Sequence, residues 1–171
     1  MIKTTSMTLQ SLRFNSVKTY IATVLFVTAN IVMPQIFHLF PQGGVTWLPI
    51  YFFTLVAAYK YGWRVGLLTA IASPIVNSVF FGMPAAEVLP AILFKSAILA
   101  VSAGYAAWYF KSISIYILMG VVLSYQITGT AMEWIMTGNF HYAMQDFRIG
   151  VPGMLMQVFG GWFIIKYLIR K

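Results

Sequence analysis

Two charged residues fall well inside long apolar runs of this chain, Lys95 and Glu133. A charge in hydrocarbon is costly unless it faces protein, water or an opposite charge. Glu133 would suit a cationic or amide-bearing ring, and Lys95 a carboxylate; the two could equally pair with each other and lock two helices. Asn30, Asn77, Gln126 and Gln157 are the strongest uncharged polar groups in similar surroundings. Thr69, Ser73 and Asn77 follow at four-residue spacing, and Gln126, Thr130, Glu133 and Thr137 at steps of four, three and four. Each set makes one stripe along a helix. Such stripes either bind something or pair helices, since Ser and Thr also bond their own backbone or a neighbouring helix.

Catalysis and metal binding have little to work with. Cysteine is absent, and the two histidines, His38 and His141, lie far apart in the chain, neither deep in an apolar run. The sequence contains no Gly-x-Ser-x-Gly, no His-Glu-x-x-His and no Gly-xxxx-Gly-Lys-Ser/Thr phosphate loop. Hydrolysis inside a membrane needs a nucleophile with a base, or a metal. The expectation is a binding protein, not an enzyme, with no cofactor.

The elements that must position these residues follow from composition. Of 171 residues, 60% are hydrophobic and 8% charged, against about a quarter charged in an ordinary soluble domain. Mean hydropathy is +0.82. The chain cannot cover a globular surface with polar side chains, and its length fits one domain. A membrane span needs roughly 20 apolar residues, and six candidates fit: 19–40, 45–59, 65–81, 88–110, 113–137 and 150–168. The second is short, so Lys60 at its end must snorkel or the bilayer must thin.

The formal charge of +8 comes from eleven Lys/Arg against three acids. These residues fall between the apolar runs, not on one accessible face, so no nucleic-acid partner is expected. With both termini cytoplasmic, inner segments hold Lys3, Arg13, Lys18, Lys60, Arg64, Lys111, Lys166, Arg170 and Lys171, nine of the eleven. That asymmetry is what the positive-inside rule requires of six spans. The expected fold is an all-α integral membrane bundle of six helices, preceded by a short cytoplasmic arm, 1–18. The run after the arm is too long for a signal peptide and lacks a small-x-small cleavage site. No internal repeat points to a self-sufficient carrier built from doubled halves.

A rise of about 1.5 Å per residue places Asn77 and Glu133 roughly 6 Å, and Lys95 and Gln157 roughly 10 Å, below the outer edge. Asn30 and Gln126 come out near 15 Å. The polar groups thus concentrate in the outer half, which describes a cup open to the outside and closed beneath. Pro41-Gln42-Gly43-Gly44, leading to Trp47, forms the first outer loop. The last, from Gly138 to Ile149, carries His141, Tyr142, Gln145, Asp146 and Arg148. Long polar loops over a pocket suit lids. Trp47, Phe81, Trp134, Tyr142 and Phe147 supply aromatic walls at this level, although Trp47 and Trp134 also match an interfacial belt. Asp146 and Arg148 could pair within their loop. Small residues recur at every fourth position as Gly62, Gly66, Ala70 and Pro74, and as Ser96, Ala100 and Gly104. Such faces let helices approach closely, within the bundle or in a partner.

Over essentially its whole length the chain resembles the substrate-binding S components of energy-coupling-factor (ECF) importers. The stretches that carry the resemblance are Leu48-Pro49-Ile50-Tyr51, then Gly62-Trp63-Arg64-Val65-Gly66-Leu67-Leu68, and Asp146-Phe147-Arg148-Ile149-Gly150-Val151-Pro152-Gly153. The resemblance implies a prokaryotic cytoplasmic-membrane subunit that captures a vitamin or related micronutrient outside. Delivery would be driven by two partner ATPases through a transmembrane coupling protein. The polar and aromatic residues of the cup, Asn30, Trp47, Asn77, Lys95, Gln126, Glu133, Trp134 and Gln157, would then be the substrate contacts. Gating would fall to Gln42, Gly43, Gly44, His141, Asp146 and Arg148. Family members often dock through an Ala-xxx-Ala face on the first helix; here Ala22 is followed by Phe26, and only Ala22 and Ala29 keep a seven-residue spacing. Gly62, Gly66 and Ala70 would complete the docking surface. On this reading, Asn77→Ala should weaken binding without unfolding the protein. A structural or assembly protein of the cell envelope is the alternative, against which the polar stripes in the outer half weigh.

Overall fold

The computed structural model describes residues 5–6 and 11–168. Lys3, Arg170 and Lys171, part of the expected inner charge, lie outside the described residues. The structure is 82% helical, so the all-α class holds apart from one strand pair of two residues each. Among the described residues, four helices are long and apolar enough to cross a membrane: α1 (Val17–Phe37), α4 (Trp63–Phe81), α5 (Leu89–Phe110) and α6 (Ile115–Thr137). Large apolar side chains such as Val24, Val79, Phe80, Trp108 and Ile135 stand exposed on them. An apolar surface of that extent suits lipid rather than water.

The second expected span, 45–59, is not one helix. It divides into α2 (Gly43–Trp47), a 3-10 turn at Pro49–Tyr51 and α3 (Phe52–Tyr61). Pro49 explains the break, because proline disfavours helical backbone at the residue before it, and Leu48 takes a left-handed φ of 47°. At about 1.5 Å per residue, the ten residues of α3 reach only halfway across a hydrocarbon core. The sixth expected span is helical over 151–168 but uneven. It runs α9 (Val151–Leu155), a π turn at Met156–Gly160, α10 (Gly161–Phe163) and a second π turn at Ile164–Leu168. Gly160 and Gly161 sit at its middle, where any Cβ would press on Phe52 and Leu55 of α3.

Short connections turn each helix back along its predecessor. Gly82 and Gly138 end α4 and α6 with φ of 68° and 66°, a left-handed conformation that suits residues without a Cβ. Ser114 caps α6 by accepting from the Tyr116 N–H. The last connection holds α7 (Phe140–Ala143) and α8 (Gln145–Ile149). One end of the bundle therefore gathers the end of α1, α2, the start of α5, the end of α6 and α7–α8. At the opposite end, the β-strand Thr5–Ser6 pairs antiparallel with Ser112–Ile113. There the Tyr59 hydroxyl donates to the Ser112 carbonyl at 2.6 Å, and the Leu12 N–H donates to the Tyr61 carbonyl at 3.1 Å. The arm is thus tied across the α5–α6 turn.

Small residues close the core from within. A Cβ on Gly66 would collide with Ala58 of α3, and Ala70 is fully buried. Gly104 of α5 lies equally close to Trp63 of α4. Gly62, at φ 93°, turns the chain beside Ser11. Of the face Gly62–Gly66–Ala70, expected to meet a partner, Gly66 is taken up by packing α4 on α3, Gly62 lies beside Ser11 and Ala70 is buried. Ala22 and Ala29 remain partly exposed on α1, along an open groove shared with Phe53, Tyr61 and Ile164.

Asn30 and Asn77 are likewise absorbed by the fold. Asn30 Nδ2 donates to Thr54 Oγ1 at 3.0 Å and Ser73 Oγ at 3.2 Å, while its Oδ1 accepts from the Phe53 N–H at 3.2 Å. Pro34 has no N–H to offer the carbonyl four residues back, which is that of Asn30; Asn77 Nδ2 takes its place at 3.0 Å. Asn77 Nδ2 also reaches the Ser73 carbonyl at 2.9 Å. Every polar arm of Asn30 is engaged, binding α1 to α3 and α4. A buried group left without its partner costs about 1–3 kcal/mol. Asn30→Ala strands several such groups, so its melting temperature in detergent should fall by several degrees, and Asn77→Ala should act the same way, against the sequence expectation. Unchanged melting temperatures in both variants would show that the network contributes nothing.

Candidate functional site

At the end of the bundle where α2 and α8 meet, Lys95 of α5 reaches across to α6. Its Nζ lies 2.5 Å from Glu133 Oε2 and 2.8 Å from Asp146 Oδ2 of α8. Gly129, one turn before Glu133, makes this possible: a Cβ there would stand 3.0 Å from Lys95 Cε and nearer still to Cγ. Lys95 is 3% exposed, whereas the Glu133 and Asp146 side chains keep 12% and 13% of their surface accessible. The ammonium is thus submerged, and the carboxylates are what the surroundings meet. Of the two pairings left open by the sequence, Lys95 with Glu133 is realised; Asp146 pairs with Lys95 and not with Arg148. Arg148 instead lies 2.5 Å from His141 Nε2.

These carboxylates border a cavity of about 260 Å³. Its polar lining comes from Lys95, Glu133, Asp146, Tyr51, Tyr142, Gln145 and His38. Apolar side chains of α2 and the start of α5 complete the wall, and Pro34, Pro49 and Pro84 fix its backbone. Typical ligand pockets run about 300–1,000 Å³, so this one suits a compact molecule. Beneath it the Tyr51 and Tyr125 rings stand 5.2 Å apart. Below them Leu55, Leu99, Ala103 and Leu118 are fully buried, which closes the floor.

Both expected gating loops border this space. Gly44 and Val45 come from the first and Tyr142, Gln145 and Asp146 from the last. The loops also press on each other, since a Cβ at Gly150 would meet Leu48 Cδ1 at 2.9 Å. Gln42 and Gly43 line a shallow depression beside Gly44, and Gly43 is buried against the Phe37 carbonyl. His141 and Arg148 hold the outer side of the last loop and do not line the cavity.

Of the eight residues expected to bind substrate, Lys95 and Glu133 line the cavity. Asn30 and Asn77 do not, being committed between helices. Trp47 packs on Phe37 at a tilt with centroids 5.4 Å apart, and Trp134 meets Phe140 edge-on at 5.1 Å. Gln126 and Gln157 lie deeper, around the Tyr125 hydroxyl, which donates to Gln157 Oε1 at 2.9 Å and accepts from Gln126 Nε2 at 3.2 Å. Gln126 Oε1, Gln157 Nε2, Thr130 Oγ1 and Ser96 Oγ are buried with no partner among the described residues. Sequence reasoning missed Tyr51, His38 and Gly129. Tyr51 gives no periodic signal because Leu48 and Pro49 reset the helix before it, and Gly129 shows only as a gap in the stripe through Glu133.

Compared with known proteins, the chain matches no family model, no curated protein and no solved structure.

Removing one member of a buried ion cluster typically costs about 3–5 kcal/mol, because the remaining charge has no counter-ion. Lys95→Met should therefore destabilise the protein by that order in a thermal or denaturant melt. Adding Glu133→Gln and Asp146→Asn to it should recover most of the loss. A triple variant no more stable than Lys95→Met would mean that packing, not charge, sets the cost.

Proposed function

We propose that this chain is the substrate-capture subunit of an ECF-type importer for a vitamin or related micronutrient. In this reading it spans a prokaryotic cytoplasmic membrane six times with both termini inside. The four long helices are joined as crossings by α3 with its preceding turn and by the 151–168 run. The charge distribution supports that orientation: Arg13, Lys18, Lys60, Arg64 and Lys111 belong to the end where the arm is tied down, opposite the cavity. All three acids of the chain, Glu87, Glu133 and Asp146, belong to the cavity end. The basic end would face the cytoplasm, and the cavity the outside.

The observation that carries the proposal is a cavity with one charged wall, roofed by two loops and closed beneath by a packed core. A scaffold needs no such space, and a channel would not be sealed. Capture from one side, followed by movement of the whole subunit on its coupling protein and two ATPases, accounts for a site with a floor. Glycines that seat α4 on α3 leave α1, with Ala22 and Ala29 on its open groove, as the surface for that coupling protein.

Native mass spectrometry of gently purified protein tests the proposal. A stoichiometric adduct in the mass range of a vitamin is expected. Bare protein in repeated preparations, with no rise in melting temperature across a panel of vitamin-sized compounds, would overturn it in favour of an envelope scaffold.

A further inference from the structure

Charge arithmetic at the cavity adds a ligand class to the capture reading, on which it rests. One lysine faces two carboxylates, so these three groups carry a formal charge of −1. Lys95 cannot present its charge outward: it is buried, and it spends two of its donors on Glu133 Oε2 and Asp146 Oδ2. Each carboxylate gives one oxygen to Lys95, and its other oxygen makes no hydrogen bond among the described residues. Arg148 is turned away on His141. The Tyr51 side chain adds an independent sign of a missing ligand. It is 3% exposed and lines the cavity, yet its hydroxyl makes no hydrogen bond among the described residues. An uncompensated charge beside apolar walls is costly, and a bound cation would remove that cost.

We infer that the cavity binds a small organic cation, its positive group against the free oxygens of Glu133 and Asp146 and its body between the apolar walls. Tyr51 and Tyr142 line the same space, and aromatic faces attract cations. The volume of about 260 Å³ suits one ring with a short substituent. An anion would have to approach two carboxylates to reach a submerged ammonium.

The test uses the full-length protein in detergent and compares three single-ring probes of similar size at matched ionic strength. These are benzyltrimethylammonium, benzyl alcohol and phenylacetate, each titrated to millimolar concentration against melting temperature. Benzyltrimethylammonium should raise the melting temperature by a few degrees, and the neutral and anionic probes should not. Asp146→Asn, in the loop and remote from the helix core, should weaken the cation's apparent affinity at least tenfold, and Glu133→Gln should do likewise. A shift with phenylacetate equal to or larger than with the cation, or no shift with any probe, overturns the inference. Native mass spectrometry separates this failure from failure of the capture reading. A co-purified adduct that is neutral or anionic sinks the cation and keeps the capture subunit, whereas the absence of any adduct bears on capture itself.

Discussion

Lys95 donates to carboxylates on two other elements, and the cavity exists in its present form because of those two bonds. The Glu133 bond fixes the distance between α5 and α6 near their ends. The Asp146 bond draws α8 down, which holds the last loop over the same space. None of the three groups would be tolerated alone among apolar neighbours, so each explains the presence of the others. The glycine at 129 belongs to the same constraint, because the lysine stem needs the room a side chain would occupy.

A second, uncharged constraint supports the opposite wall. Pro34 bends the requirement for hydrogen bonds away from the α1 ladder, and Asn77 answers it from α4. Asn30 meanwhile accepts from the Phe53 N–H, one of the donors that the first turn of a helix cannot satisfy internally. The short helix α3 is therefore capped by α1, which lets it begin abruptly after the Leu48–Pro49 break. That break in turn aims Tyr51 into the cavity lining. Side chains that look ligand-like in a linear sequence thus serve the frame, and a residue that looks like ordinary core lines the cavity.

How far the sequence could be read depends on the kind of signal. Long apolar runs and their flanking charges were legible, because membrane-length helices are specified by composition alone; α1, α4, α5 and α6 fall within a few residues of expectation. The second span was misjudged since hydropathy does not register the left-handed Leu48, only the proline after it. For the site, Lys95 and Glu133 stood out from the cost of burying charge, and Asp146 only as a polar residue of the last outer loop; their three-way arrangement was not legible. Pairing is a matter of which loop folds over which helix, and Asp146 had a nearer candidate in Arg148. Asn30 and Asn77 read as binding groups in the sequence, and their engagement between helices was not legible because the gap that Pro34 opens in the backbone ladder is visible only once α4 stands beside α1. The stripe Gly62–Gly66–Ala70 shows the same limit: spacing tells that something approaches closely, and only the fold tells what.

The seam at Pro34 also has a mechanical side. Beyond it, the last turn of α1 keeps its own ladder, with the His38 N–H donating to the Pro34 carbonyl at 2.9 Å, and leads to His38 at the cavity; the carbonyl that Pro34 leaves free, that of Asn30, is held by Asn77 of α4. A lengthwise displacement of α4 would be handed to α1 through this bond together with those of Asn30 to Ser73 and Gln35 to Asn77, like tie rods between two levers. α4 runs the length of the bundle, so such a displacement would carry to the cavity wall from the far end.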